Sequence, residues 1–236
     1  VYRQQDGIFL ELLNRIREKQ IDASVLNTLN QRCIPGFTPS DEDGYITLTT
    51  HNHQAQRIND LKMAALNTQA YTFRAEIKDN FPAYSYPTDE LLVLKKGAQV
   101  MFVKNDSSPE KRYYNGKIGK ITAINNNTIE VVGKEDWMRI LVNREEWTNT
   151  KYTLDEETKE IVEMVEGRFS QYPLKTAWAI TIHKSQGLTF ERAIVDANAA
   201  FAHGQVYVAL SRCKTLEGMV LESPLRREAI ISDATV

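Results

Sequence analysis

The sequence predicts an α/β fold interrupted by a small antiparallel β-barrel. Three observations carry this. Residues 1–70 mix helical and strand patterns, residues 71–171 carry short β-type runs divided by turns, and the helix–strand mixture returns after Pro173. The simplest arrangement is one α/β domain split between residues 1–70 and 172–236, with a β-rich module at 71–171 inserted into it. At 236 residues, 42% hydrophobic and 25% charged, the chain can bury one or two cores, and disordered or fibrous classes are excluded.

Each element has its own signal. Asp6 is placed to cap a helix whose apolar residues Phe9, Leu12, Leu13 and Ile16 recur at helical spacing. Ser24 is expected to cap a second helix through Val25, Leu26 and Leu29, before Pro35, Gly36 and Pro39 break the chain. Tyr45–Thr50 is rich in β-branched residues and reads as a buried strand. Gln54–Leu66 follows as a helix with Ala55, Ile58, Leu61, Ala65 and Leu66 on one stripe. The module then offers strands at Tyr71–Ile77, Ala98–Lys104, Lys117–Ile124, Thr128–Val132, Ile140–Val142, Glu145–Tyr152 and Glu160–Phe169. Asn125, Asn126 and Asn127 mark a turn between two of them. Beyond Pro173, Ala177–Lys184 is expected to be helical and Arg192–Asp196 a strand. Gln205–Arg212 reads as a helix, Met219–Leu221 as a strand and Leu225–Ile231 as a terminal helix.

Charge and cysteine content narrow the function. The net charge of −2 carries no whole-chain footprint for nucleic acid, so any such contact must be local. One local patch exists: Lys95–Asn125 holds seven basic residues against two acidic, with Tyr113 and Tyr114 among them. A phosphate-tracking surface and a solvated loop face both fit that pattern. Asp155–Glu166, with six acids and one lysine, reads as a solvated hairpin away from nucleic acid. Cys33 and Cys213 have no zinc-ligand spacing and are expected to be reduced thiols. No membrane-span or signal-peptide pattern occurs, which sets a cytoplasmic expectation. Because the chain begins at Val1, it is expected to be a piece of a longer protein.

Two segments concentrate chemistry. TIHKSQGLTF, Thr181–Phe190, gathers hydroxyl, imidazole, ammonium and amide groups before a glycine, which suits phosphate contact and close backbone approach. It equally suits a polar helix end with a glycine cap. GQVYVALSRC, Gly204–Cys213, gives a helix with a buried face and Arg212 near its end. That arginine is either an anion ligand or an ordinary basic residue at a helix C-terminus. An Arg3-Gln4 pair opens the chain.

Taken together, these segments resemble motifs V and VI of superfamily 1 helicases, most closely the RecD/Pif-like branch. VYRQQD resembles a clipped motif IV, ITLTTHNHQAQRIN the strand and helix after it, and KKGAQVMFVKND…YYNGKIGKI the SH3-like insert of that branch. The resemblance implies a second RecA-like motor domain, of the P-loop NTPase type, with an SH3-like insert. It implies that Arg3 and Arg212 reach the γ-phosphate of ATP, Arg212 as the finger, with Gln186, Gly187 and Gln205 on the nucleotide side. Thr181, His183, Ser185, the tract His51, Asn52 and His53, and Lys117 would contact single-stranded DNA. No GxxxxGK[ST] phosphate loop occurs, so the resemblance assigns the ATP and Mg²⁺ cradle to a first RecA-like domain outside this chain, and the fragment alone is expected to be inactive. The implied movement is 5′→3′ on single-stranded DNA, as a monomer. A DNA-binding scaffold derived from a motor domain and an unrelated small-molecule domain are the competing readings.

Overall fold

The structure is a computed structural model and describes residues 6–125, 128–154, 160–196 and 205–228. In chain order it contains α1 (Gly7–Arg17), α2 (Ala23–Asn30), β1 (Ile46–Thr49), α3 (Asn52–Ala65), β2 (Ala70–Arg74), β3 (Glu76–Asp79), β4 (Leu91–Lys95), β5 (Gln99–Phe102), β6 (Ile118–Ile124) and β7 (Ile129–Gly133). There follow β8 (Arg139–Val142), β9 (Glu145–Leu154), β10 (Ile161–Gln171), β11 (Leu174–Thr176), β12 (Ala179–Thr181), β13 (Ala193–Val195), α4 (Gln205–Leu210) and β14 (Met219–Leu221).

Four short strands from the two ends of the chain form a parallel sheet in the order β12-β1-β13-β14. Their near-continuous apolar runs (AIV, MVL) are those of strands buried on both faces. α1, α2 and α4 pack Phe9, Leu13, Val25, Leu29, Ala209 and Leu210 on this sheet. The intervening chain is antiparallel. β11-β5-β6-β7-β8 form one sheet and β2-β4 a second, and both bury side chains in a common core of Phe73, Leu92, Leu94, Val100, Phe102, Ile121 and Val131. β9 and β10 make a long hairpin joined by β3 at its base. The two regions interlock: Met101 and Ile118 enter the core of the parallel sheet, while Ile58, Met63, Leu66 and Trp178 pack on the antiparallel core.

Asp6 caps α1 as its spacing predicts, accepting from the Ile8 and Phe9 amides at 3.0 and 3.1 Å. Four expectations change. Asp22 rather than Ser24 caps α2, accepting from the Val25 amide at 3.0 Å, because the helix starts one residue before Ser24. Ala177–Lys184 is not a helix. Its β-branched Ile180 and Thr181 pair with β1 as an edge strand, and a tight turn follows. The apolar stripe of α3 is only partly its buried face, since Ala55, Ile58 and Leu66 pack inward while Leu61 is 61% exposed and Ala65 is exposed. Ala55 and Asn59, one turn apart, face the parallel sheet instead, while Ile58 and Leu66 serve the other core. β4 was not expected at all: LLVLK is apolar throughout, which hides the period-2 burial the strand adopts. β11 is likewise unpredicted, the expected strand Tyr71–Ile77 divides into β2 and β3 in different sheets, and the other strands lie within a few residues of their predicted places. Asn126, Asn127 and the end of the expected terminal helix lie outside the described residues.

Candidate nucleic-acid interface

β1 and β12 run parallel with Thr49 beside Thr181, so both chains leave the sheet at the same edge. In open α/β sheets this carboxyl edge is where ligands bind. From β1 the chain passes Thr50 and His51 into α3. From β12 it enters the turn of residues 182–187. Between them, with β5 and β11 behind, lies a cavity of about 760 Å³. Its walls include Asn52, His53 and Gln56 of α3, Lys175, Thr181, Lys184 and Gln186, and the apolar Met101, Val103 and Leu188.

The turn after β12 is held by its own backbone. The Ser185 amide donates to the Thr181 and Ile182 carbonyls at 3.0 and 3.2 Å, the Gln186 amide to His183 at 3.2 Å, and the Leu188 amide to Ser185 at 3.0 Å. Gly187 has φ +84°, a left-handed conformation that favours glycine, and no atom lies within 4 Å of where a Cβ would point. The Ser185 hydroxyl is fully buried and donates to the Ile182 carbonyl at 2.7 Å. Arg212 ties α4 to this turn. Its guanidinium donates to the Val208 carbonyl at 3.0 Å, to the Leu188 and Ser185 carbonyls at 3.2 and 3.3 Å, and to the Ser211 hydroxyl at 2.8 Å.

The structure brings together Thr181, Asn52, His53 and Gln186 around the cavity. His51 precedes α3, its Nδ1 2.7 Å from the Thr50 hydroxyl and its ring 5.4 Å from that of His53. His183 is exposed at the turn. Ser185 faces inward, so its hydroxyl is committed to the turn. Gln205 is half-buried at the start of α4. Arg3 lies outside the described residues. Lys117 does not line the cavity: its ammonium is buried and bonded to Asp136 at 2.5 Å and to the Arg112 carbonyl at 3.2 Å. Gly133 leaves room for this pair, since a Cβ there would meet Lys117 Cε at 2.9 Å and Asp136 Oδ1 at 2.4 Å.

Most of the basic tract is structural in the same way. Lys95 donates to the Met63 and Leu66 carbonyls at the end of α3. Lys104 pairs with Glu145, Arg112 with Asp106, Lys120 with Glu42, and Lys111 donates to the Asp106 carbonyl. Tyr113 is buried and stacked on Phe102, its centroid 4.2 Å away, and Tyr114 donates to Glu135. Burial raises the pKa of both phenols, and Glu145 and Glu135 push them further up. Most of the tract's cations are thus engaged within the chain rather than free at its surface. Lys175 and Lys184, which the sequence reading passed over, line the cavity together with the carboxylate Asp89. Among the described residues no group of three or more His, Cys, Asp or Glu could hold a metal ion. Among the same residues no helix is long and apolar enough to cross a membrane.

No family model matches the chain. The ATP-dependent DNA helicase Pif1 of Campylobacter jejuni is 32% identical over 224 residues, covering 89% of this chain and 49% of the relative. The unliganded structure of Pif1 from Bacteroides sp. overlays on 99% of this chain, and 53% of its own, with a TM-score of 0.90 and 40% identity. The chain is a homologue of the Pif1 helicases. Its mixed α/β fold is theirs, with a RecA-like motor domain, and it spans about half the length of these relatives. Bacteroides Pif1 bound to single-stranded DNA matches at the same identity and coverage but with a TM-score of 0.67. The complex of Bacteroides Pif1 with ADP-AlF4 matches with a TM-score of 0.89, so this chain overlays better on it and on the unliganded form than on the DNA-bound one.

Proposed function

We propose that the chain is the C-terminal motor half of an ATP-dependent DNA helicase, moving 5′→3′ on single-stranded DNA. Residues 1–70 and 172–236 would form the second RecA-like domain and residues 71–171 its SH3-like insert. The observation that carries this reading is Arg212, which joins α4 to the turn beside the cavity through the Ser185 and Leu188 carbonyls. The strand would lie along the cavity against Thr181, His183 and the His51–His53 tract. ATP and its Mg²⁺ would be cradled by the first RecA-like domain, with Gln186, Gly187, Gln205 and Arg3 closing on it from this side.

Coupling then follows from shared bonds. A guanidinium prefers a phosphate to neutral carbonyls, because charge-assisted bonds are roughly twice as strong. When Arg212 turns to the γ-phosphate, the turn after β12 loses two of its anchors and its grip on DNA changes. Hydrolysis returns the arginine and restores the turn. Such a cycle needs a second arrangement to move into; in the Bacteroides homologue the lower TM-score goes with bound single-stranded DNA, 0.67, and not with ADP-AlF4, 0.89.

The experiment is DNA-stimulated ATPase, measured on this chain alone and on the chain joined to the first motor domain of a Pif1 relative. Silence alone and activity when joined support the reading. Activity in the isolated chain would refute the split site. Silence in both with DNA bound would favour a scaffold.

A further inference from the structure

The loop of residues 105–117, which joins β5 to β6, is braced far more than a surface connection requires. At its centre is Asp106, 2% exposed. The Asp106 carboxylate accepts from the Ser108 and Arg112 amides, both at 2.9 Å, and from Arg112 Nε at 3.0 Å. The Asp106 amide donates to the Tyr113 carbonyl at 3.0 Å, so the loop closes on itself. Towards its far end the Asn115 amide donates to Asn105 Oδ1 at 2.9 Å, and the Gly116 amide to the Phe102 carbonyl of β5 at 2.8 Å. Lys111, Arg112 and Lys117 each add a bond from a side chain to this loop, so three cations of the basic tract serve one connection.

The braced loop ends against the turn after β12. Gly116 has φ +102°, a conformation that favours glycine. The atoms nearest to where its Cβ would stand are three carbons of Leu188, at 3.4, 3.5 and 3.8 Å. Leu188 is buried in one cluster with Met101 of β5 and Ile118 of β6. Its amide closes the turn by donating to the Ser185 carbonyl at 3.0 Å, and its carbonyl accepts from Arg212 at 3.2 Å. One residue therefore has its side chain seated on the β-rich insert and its carbonyl on the guanidinium. A guanidinium is a rigid planar fork, so the place of its acceptors decides where it rests. A turn held by its own backbone alone relaxes when the arginine leaves. A turn seated on a braced loop stays in place for its return.

We propose that Leu188 is a positioning residue for Arg212, and that the loop of residues 105–117 fixes Leu188 in turn. The inference rests on the reading of Arg212 as the residue that reaches ATP, and it gives the insert a part in ATP turnover.

The test is ATP turnover of the joined two-domain protein at saturating single-stranded DNA, in the parent and in an Arg212→Ala background. Leu188→Ala removes the seat. Asn105→Ala loosens the loop from an exposed position of the insert. Leu188→Ala is expected to lower kcat about tenfold or more and Asn105→Ala a few-fold, with KM for ATP within about twofold, because misplacing a positioned group by about 1 Å costs up to about 10²-fold. Leu188→Met keeps the packing and Asn105→Asp the acceptor, and both should restore kcat. In the Arg212→Ala background the same substitutions should change kcat by less than about twofold, the scatter of independent sites, since the group they position is gone. Equal fractional losses in both backgrounds would mean that these residues only hold the fold, and would overturn the proposal. An unchanged kcat in the parent background would overturn it too. Should Leu188→Ala fail to fold, Asn105→Ala decides alone. Arg212→Ala with an unaltered kcat would sink the reading of the arginine itself, and the proposal with it.

Discussion

Replacing Asn59 tests how the cavity wall is built. β12 is an edge strand with β1 on one side only, so its outer amides and carbonyls need other partners. The Asn59 carboxamide supplies them from α3. Its Oδ1 accepts from the Trp178 and Ala179 amides at 3.0 and 2.9 Å, and its Nδ2 donates to the Ala179 carbonyl at 2.9 Å. Asn59→Leu conserves volume and strands two donors and one acceptor. Each buried unsatisfied group costs about 1–3 kcal/mol, and the neighbouring cavity lets water reach some of them, so about 3 kcal/mol is expected in total. For a chain of this size that is a fall of roughly 6–12 °C in melting temperature. Asn59→Asp keeps the acceptor and loses the donor, and should fall between parent and Asn59→Leu. Thermal and urea unfolding measure both. A loss below about 1 kcal/mol for Asn59→Leu would mean that the edge of β12 is hydrated without Asn59, and the account of its role would be wrong.

Three further outcomes follow from the same geometry. Gly218→Ala would place a methyl 1.9 Å from the Glu191 carbonyl oxygen, so the loop before β14 must shift; a loss of roughly 3 kcal/mol or insoluble expression is expected, and a melting temperature within 2 °C of the parent, on the order of 1 kcal/mol, would refute it. In the joined two-domain protein, Arg212→Ala should lower ATP turnover by about 10³ while DNA binding persists, and Arg212→Lys should not rescue it, because an ammonium lacks the planar fork; an unaltered kcat removes the finger assignment. Hydrogen bonds from Lys120 and then Lys134 hold the Glu42 carboxyl at about 2, well below its usual value. Its contribution to stability is therefore complete at neutral pH and is lost as pH falls from about 4.5 towards 2, so Glu42→Gln should narrow the gap between urea midpoints at pH 7 and pH 3.

The fold was legible wherever one face of an element was buried against one core. α1 is the clear case: Asp6 and the Phe9, Leu12, Leu13, Ile16 spacing settle its start and its face, and the structure keeps both. α3 was legible as a helix and misread as a surface, because it packs on two cores and its sheet-facing side is Ala55 and a polar Asn59. No hydropathy pattern marks a polar residue that replaces a missing strand. β12 was misread for a related reason. Ala-Trp-Ala-Ile-Thr-Ile has no period of its own, and only the presence of β1 beside it decides between helix and strand.

The site divides along a different line. Thr181, Asn52, His53 and Gln186 could be found because each belongs to a segment where polar groups follow directly on a buried strand, and such a segment must leave the sheet at its carboxyl edge. Lys117 could not be judged, nor could the tract around it. A lysine in a loop carries the same letter whether its ammonium meets solvent, a strand of DNA or Asp136, and Asp136 is brought to it by a turn nineteen residues on. Lys175 shows the converse. It lies in QYPLKTAWA, a stretch with no charge pattern, and its significance is the absence of a partner, which exists only once every neighbour is in place. For ionisable groups the informative quantity is therefore the residual charge of a cavity after folding has matched its pairs. By that measure the basic tract, with Lys95, Lys104, Lys111, Arg112, Lys117 and Lys120 all bonded, contributes little, and what remains in the cavity is Lys175 and Lys184 set against the single carboxylate of Asp89.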